Sequence, residues 1–278
     1  MSFLVLLLVL LVEKFSALRQ RIQRDGFFVG ELHRLEARQG LLNHPWWVLG
    51  ITVLLPVLVL ALVLYVLQPV AYGLLALPVH FLVLVYSLGR GDIKLGLGPF
   101  RDAWRREDVQ AAVHVAQRDM GVGADDETGL LESVQGHLLW QAYQSFFAVI
   151  FWYAVLGPVA ALAYRLLALA SSHGRNPAVA LHAGQCRHAF DWLPVRLLAA
   201  SFALVGNFVA VSRVMLHEVL SWEVSAQALI SRVGRVAADT PAQINGQPGV
   251  ESLDNLWQMV MRAGVLWYAL LGLWTVLA

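Results

Sequence analysis

The chain has 278 residues, 58% of them hydrophobic and 14% charged, with a formal net charge of +1 and a mean hydropathy of +0.62. Soluble domains carry about 25% charged residues, so this composition excludes an ordinary soluble globular protein. The near-zero charge gives no basis for nucleic-acid binding, and a single cysteine, Cys186, excludes an intramolecular disulfide.

The charge deficit is concentrated in runs. Residues 47–67, 70–88 and 138–164 contain no Asp, Glu, Lys or Arg. About 20 apolar residues span a hydrocarbon core of ~30 Å as a helix, and these runs are continuous rather than alternating. The pattern predicts an all-α polytopic membrane protein with about four to six membrane-embedded helices and amphipathic surface helices. It is read as a single integral membrane domain over residues 1–278.

The opening run, MSFLVLLLVLLVEK, has no Lys or Arg before its apolar stretch. It therefore lacks the basic start of a signal peptide and is expected to be retained. Leu11, Phe15, Leu18 and Ile22 recur at helical spacing up to Asp25-Gly26, and Phe28, Leu32 and Leu35 mark a second amphipathic piece. Pro45 before Trp47 starts the first clear span, Pro56 predicts a kink within it, and Gln68-Pro69 turns into a second span ending near Gly89. The glycine-rich exit at 87–99 lacks the lysine-bearing phosphate-loop pattern. Residues 100–119 read as a surface helix. The segments 13–46 and 89–137 hold twelve of the twenty Lys and Arg residues. Both flank the two-span hairpin, so they share a side, which the positive-inside rule makes cytoplasmic.

The stretch RDMGVGADDETGLLESVQ, residues 118–135, carries five acids and one arginine against a long uncharged run. It is either a solvated loop or the lip of a membrane-surface site. Asp125, Asp126, Glu127 and Glu132 offer oxygen ligands of the kind a divalent cation takes, but without fixed spacing a capped, solvated loop is the preferred reading, and no metal is assigned. Glu132 falls at the lipid boundary, where a carboxylate needs a partner or a polar cavity.

The broken apolar segment 138–171 is too long for one upright helix, and Gly157-Pro158 interrupts it. Either it crosses with a kink, or two arms form a hairpin that returns to the face it left. His173, His182, Cys186 and His188 crowd a connector without completing a zinc site. Residues 192–212 read as another span, with Arg196 inside it and apolar periodicity continuing to Val233. QINGQPG reads as a loop, and Asn255–Ala278 as the final helix, containing Arg262. Arg165 and Arg196 lie within apolar runs, where an arginine either marks a pocket for an oxyanion or snorkels to the interface. His80 is read as a helix-packing or cavity residue within a span, not as a catalyst.

LLLVLLVEKF, REDVQAAVHVAQRD, LLESVQGHLLW, FWYAVLGPVAALAYR and DWLPVRL occur in that order. Together they resemble the AmpE family of multi-pass inner-membrane proteins associated with β-lactamase induction. That family is similar in turn to the CbiB/CobD membrane enzymes of cobalamin biosynthesis, which join an aminopropanol unit to cobyric acid with ATP. Arg118-Asp119, Glu132-Ser133-Val134, Tyr164-Arg165 and Pro194-Val195-Arg196-Leu197 stand where the enzymes have matching motifs. The enzymes' acid, amide and serine after the first motif are replaced by Gln135-Gly136-His137-Leu138-Leu139-Trp140. Their later Asn, Thr and Asp are replaced in Ala168-Leu169-Ala170-Ser171-Ser172, and their near-terminal segment has no clear counterpart.

The resemblance implies a membrane signalling modulator on an eroded enzyme scaffold, with no cofactor and no catalytic residue assigned. Its ligand-binding candidates are Arg118, Asp119, Glu132, Gln135, His137, Arg165, Ser172 and Arg196. Since the enzymes' polar motifs flank the broken segment, the resemblance favours the returning hairpin. Expected partners are the bilayer, a small-molecule or lipid ligand, a membrane or cytoplasmic protein, and a second copy of the chain. The alternatives are a ligase or transferase with a changed substrate, and a transporter of cell-wall-derived solutes.

Overall fold

The computed structural model describes residues 25–68, 75–89, 93–123, 127–239 and 246–277, apart from Gln39, Leu42 and Val219. The expected helix before Asp25, the turn at Pro69 and the acids Asp125 and Asp126 lie outside these residues. The regular elements among the described residues are all helical. Among the described residues four helices are long and apolar enough to cross a membrane, Pro45–Leu67, Gly129–Leu156, Pro177–Val205 and Gly246–Thr275, and Ala76–Ser87 is a shorter apolar one. The protein is therefore an all-α polytopic membrane protein.

Apart from the single turn Ile93–Gly96, the described helices in chain order are α1 (Gly26–Glu36), α2 (Pro45–Leu67), α3 (Ala76–Ser87), α4 (Gly98–Arg105) and α5 (Val109–Val115). A wide turn, Ala116–Met120, extends α5. Then come α6 (Glu127–Ala142), a wide turn at Tyr143–Phe147, α7 (Ala148–Leu156), α8 (Pro158–His173), α9 (Pro177–Val205), α10 (Phe208–Glu218), α11 (Ala226–Ala237) and α12 (Gly246–Leu277). Contacts group the chain into two compact units, residues 1–90 with 148–191, and residues 91–147 with 192–278.

In the first unit Phe28 and Leu32 of α1 pack with Val48 and Val53 of α2 and Leu166 and Leu169 of α8. Pro45 occupies the first turn of α2, where its missing N–H costs nothing. The expected kink at Pro56 takes the form of a widened turn. The Leu55 N–H reaches back to the Gly50 carbonyl, five residues away, which makes room for a proline ring that would strike an ordinary helical carbonyl. Leu58, Leu62 and Val66 of α2 are exposed, as expected of a face that meets acyl chains.

The broken segment returns. α7 and α8 pack along one another on either side of Gly157. Gly157 has φ 78° and ψ −167°, a conformation open essentially to glycine alone. Its N–H closes α7 on the Tyr153 carbonyl at 3.0 Å, and Pro158 opens α8.

Several sequence-based boundaries are corrected. The surface helix over 100–119 is two helices, because Asp108 caps the Ala111 N–H at 3.0 Å and Glu107 takes φ 58°. The connector holding His182, Cys186 and His188 is part of α9, which starts at Pro177. The span over 192–212 stops at Val205. Asn207 then caps the Ala210 N–H at 3.1 Å and donates its own N–H to the Ala237 carbonyl at 3.0 Å. The helix expected to run on to Val233 is broken ahead of Ser225, whose hydroxyl caps the Ala228 N–H at 3.2 Å. The final helix begins at Gly246 rather than Asn255. Pro248 falls in its first turn, where proline is tolerated, and Val250, Leu253 and Leu256 are buried at helical spacing.

Candidate functional site

Two adjacent residues of α8 organise the polar interior of the first unit, because neighbours on a helix point about 100° apart. Tyr164 donates its hydroxyl to Asp191 at 2.9 Å. Asp191 also pairs with Arg187, one turn earlier on α9, at 3.4 Å. Arg165 donates to Asp25, at the start of α1, at 2.9 Å. Both carboxylates are buried. Charges taken out of water are tolerated when paired in this way.

Further down α1 the same docking continues. His33 donates to the His173 carbonyl at 2.8 Å. The buried Glu36 accepts the Arg175 and Asn176 N–H groups at 3.0 and 3.2 Å, capping the link between α8 and α9. Ser172 spends its hydroxyl on its own helix, donating to the Ala168 carbonyl at 2.8 Å. Its Oγ also lies 3.0 Å from His173 Nδ1.

In the second unit α6 and α11 approach closely. A Cβ on Gly136 would lie 2.9 Å from the Ser231 hydroxyl, and one on Gly234 would lie 2.6 Å from the Leu139 side chain. Beside this crossing Glu132 pairs with Arg235, which supplies the partner that a boundary carboxylate requires. Gln135, three residues on, is buried and donates to Ser252 of α12 at 3.0 Å. Arg101 of α4 donates to Asp254 of α12 at 2.5 Å. His137 is half-buried on α6.

Arg196 donates to the Trp192 carbonyl at 2.7 Å and to the Ser221 carbonyl at 2.5 Å. Its guanidinium carbon stands 4.2 Å over the Trp192 ring. Arg118 and Asp119 form a two-pronged pair at 2.7 and 2.9 Å on the exposed end of α5. The hydrogen bond from Arg118 holds the Asp119 carboxyl below the usual carboxylate range.

Of the eight sequence-predicted residues, Arg118 and Asp119 meet each other. Glu132, Gln135 and Arg196 turn to three different neighbours within the second unit, where His137 is half-buried, while in the first unit Arg165 turns to Asp25 and Ser172 to its own helix. Asp25 and Arg235, the partners of Arg165 and Glu132, and the buried acids Glu36 and Asp191 are polar residues the sequence reading missed. Only Asp191 carried a local signal, its spacing of four from Arg187. Among the described residues no group of three or more His, Cys, Asp or Glu side chains is placed to hold a metal ion.

Residues 1–234 match a family described as "Regulatory signalling modulator protein AmpE". The chain is 30% identical over 222 residues to Protein AmpE of Shigella flexneri, covering 74% of this chain and 75% of that one. It is also 30% identical over 166 residues to the cobalamin biosynthesis protein CobD of Chromobacterium violaceum, covering 58% of this chain and 47% of that one. The chain thus spans about half the length of that second relative. No solved structure matches.

Proposed function

Because the chain belongs to the AmpE family of regulatory signalling modulators, we propose that it works in the bacterial inner membrane as a non-enzymatic modulator of β-lactamase induction. In this reading it responds to a small ligand, a lipid or a protein partner. The membrane regulatory role follows from the family and from the four apolar helices. One observation carries the non-enzymatic part. The side chains that match the ligase motifs are engaged within the protein, Glu132 on Arg235, Arg165 on Asp25, and Arg196 on two carbonyls. A ligase needs such groups aimed at a substrate, with the geometry of the reacting atoms set in advance.

The test is turnover by purified full-length protein in nanodiscs, given ATP with cobyric acid or muropeptides and an amine donor. The expected result is no protein-dependent ATP consumption, together with altered β-lactamase inducibility in cells lacking the protein. ATP turnover that a Glu132→Gln change abolishes would overturn the proposal.

The second reading is a ligase or transferase with a changed substrate. It is favoured by the match to CobD over more than half of this chain. The turnover that sinks the first reading would establish this one.

A further inference from the structure

The stretch from Trp192 to Ala237 folds as three short antiparallel runs within the second unit. At one end Arg196 ties the Ser221 carbonyl to α9, and the Trp192 and Trp222 rings lie 6.3 Å apart. At the other end the Asn207 N–H bonds the Ala237 carbonyl. α10 therefore runs back along the end of α9, and α11 returns beside it. α10 has eleven residues, about 16 Å of helix, well short of the ~30 Å a crossing needs.

Its two faces differ. Val211 is buried, and Glu218 pairs with Arg232 of α11. The outward face carries Phe208, Val209 and Leu216, exposed by 60%, 60% and 78%, followed by Leu220 at 83%. Arg213 is exposed on this same face, four residues after Val209 and three before Leu216. Leu204, on the last turn of α9, is also exposed and leads directly into Phe208. α11 presents the opposite character outward, with Gln227 and Arg232 exposed.

We propose that α10 is an in-plane membrane anchor whose apolar face inserts among the upper acyl chains of one leaflet. The choice of a lipid occupant rests on continuity. α9 is long and apolar enough to cross the bilayer, so its exposed Leu204 meets lipid, and the α10 face prolongs that surface. A short helix with one apolar face and a tryptophan, here Trp222, shortly beyond its end is a form that lies in the interface. The α10–α11 pair, apolar on one side and polar on the other, then straddles the boundary between lipid and water. This anchor is independent of whether the protein signals or catalyses.

The experiment uses the full chain with Cys186→Ala, reconstituted in nanodiscs of phosphatidylethanolamine and phosphatidylglycerol. Nitroxides are placed singly at Val209, Leu216 and Gln227, and their collisions with oxygen and with a water-soluble nickel complex are compared. The oxygen-to-nickel ratio is expected to be roughly threefold or more higher at Val209 and Leu216 than at Gln227, with depths in the upper acyl region. Equal ratios at all three positions would place α10 in water and overturn the proposal. Depths at the bilayer centre would overturn it in favour of a deeper insertion. Spin–spin broadening that disappears on dilution with unlabelled chain would assign the face to a second copy instead.

Discussion

Arg165 stands on a helix whose surroundings are apolar, and the sequence marks it as needing either a ligand or an escape to the interface. Its actual partner, Asp25, lies 140 residues away in the chain. Both side chains are largely withdrawn from water, at 16% and 9% exposure. Removing one charge takes this partner from the other in a largely dry setting, a change that costs up to about 3–5 kcal/mol, whereas removing both is closer to neutral. Arg165→Met is therefore expected to lower thermal stability in detergent sharply, and Arg165→Met with Asp25→Leu to recover most of the loss. If the single variant unfolds at the wild-type temperature, the pair does not dock α1 as described. The same reasoning explains what the sequence could announce. It flagged Glu132 and Arg165 because isolated charges in apolar runs are costly, but the identities of Arg235 and Asp25 depend on helix packing that no local pattern encodes.

Helix breaks were written in the sequence but competed with other signals. Gly206-Asn207, Ser225 and Asp108 are ordinary punctuation and capping residues. Continuous apolar periodicity from Trp192 to Val233 outweighed the first two, and the amphipathic pattern of 100–119 concealed the third. Pro248-Gly249 gave the opposite error, reading as a loop where a first helical turn accommodates the proline. Gly157-Pro158 was legible as a break, and its left-handed φ explains why the chain turns back there rather than merely bending. Gly157→Ala is expected to cost about 1–3 kcal/mol through backbone strain, read as a lower unfolding temperature.

The glycines at helix contacts make a finer prediction. A Cβ on Gly206 would sit 2.5 Å from the Ala237 carbonyl oxygen, a backbone atom that cannot step aside, whereas one on Gly234 meets the mobile Leu139 side chain. Gly206→Ala should thus destabilise by about 1–3 kcal/mol and Gly234→Ala by less, with Leu139→Ala relieving the clash at Gly234 alone. Equal losses for the two glycines, or relief of both by Leu139→Ala, would contradict these close approaches.

The membrane character of the whole molecule was legible from composition, because a deficit of charge gathered into runs of helical length has few other physical solutions. The family was legible from the order of short motifs. The function of the polar residues within those motifs was not, since a glutamate beside an apolar run reads alike whether it serves a substrate or another helix. Glu132 pairs with Arg235 of α11, and the proposed non-enzymatic function takes that pairing, rather than a substrate, to be its role. An exposed pair contributes little to stability, on the order of 1 kcal/mol or less. Glu132 and Arg235 retain 41% and 28% exposure, so reversal of their charges leaves the fold intact while testing the role.

The decisive measurement is β-lactamase inducibility in cells carrying Glu132→Arg, Arg235→Glu, or both changes, with protein abundance checked in each. The account predicts impaired output from each single reversal and near wild-type output from the double one. A double variant that is folded and abundant, yet as defective as Glu132→Arg alone, would mean that Glu132 acts on a ligand or substrate, and would contradict it.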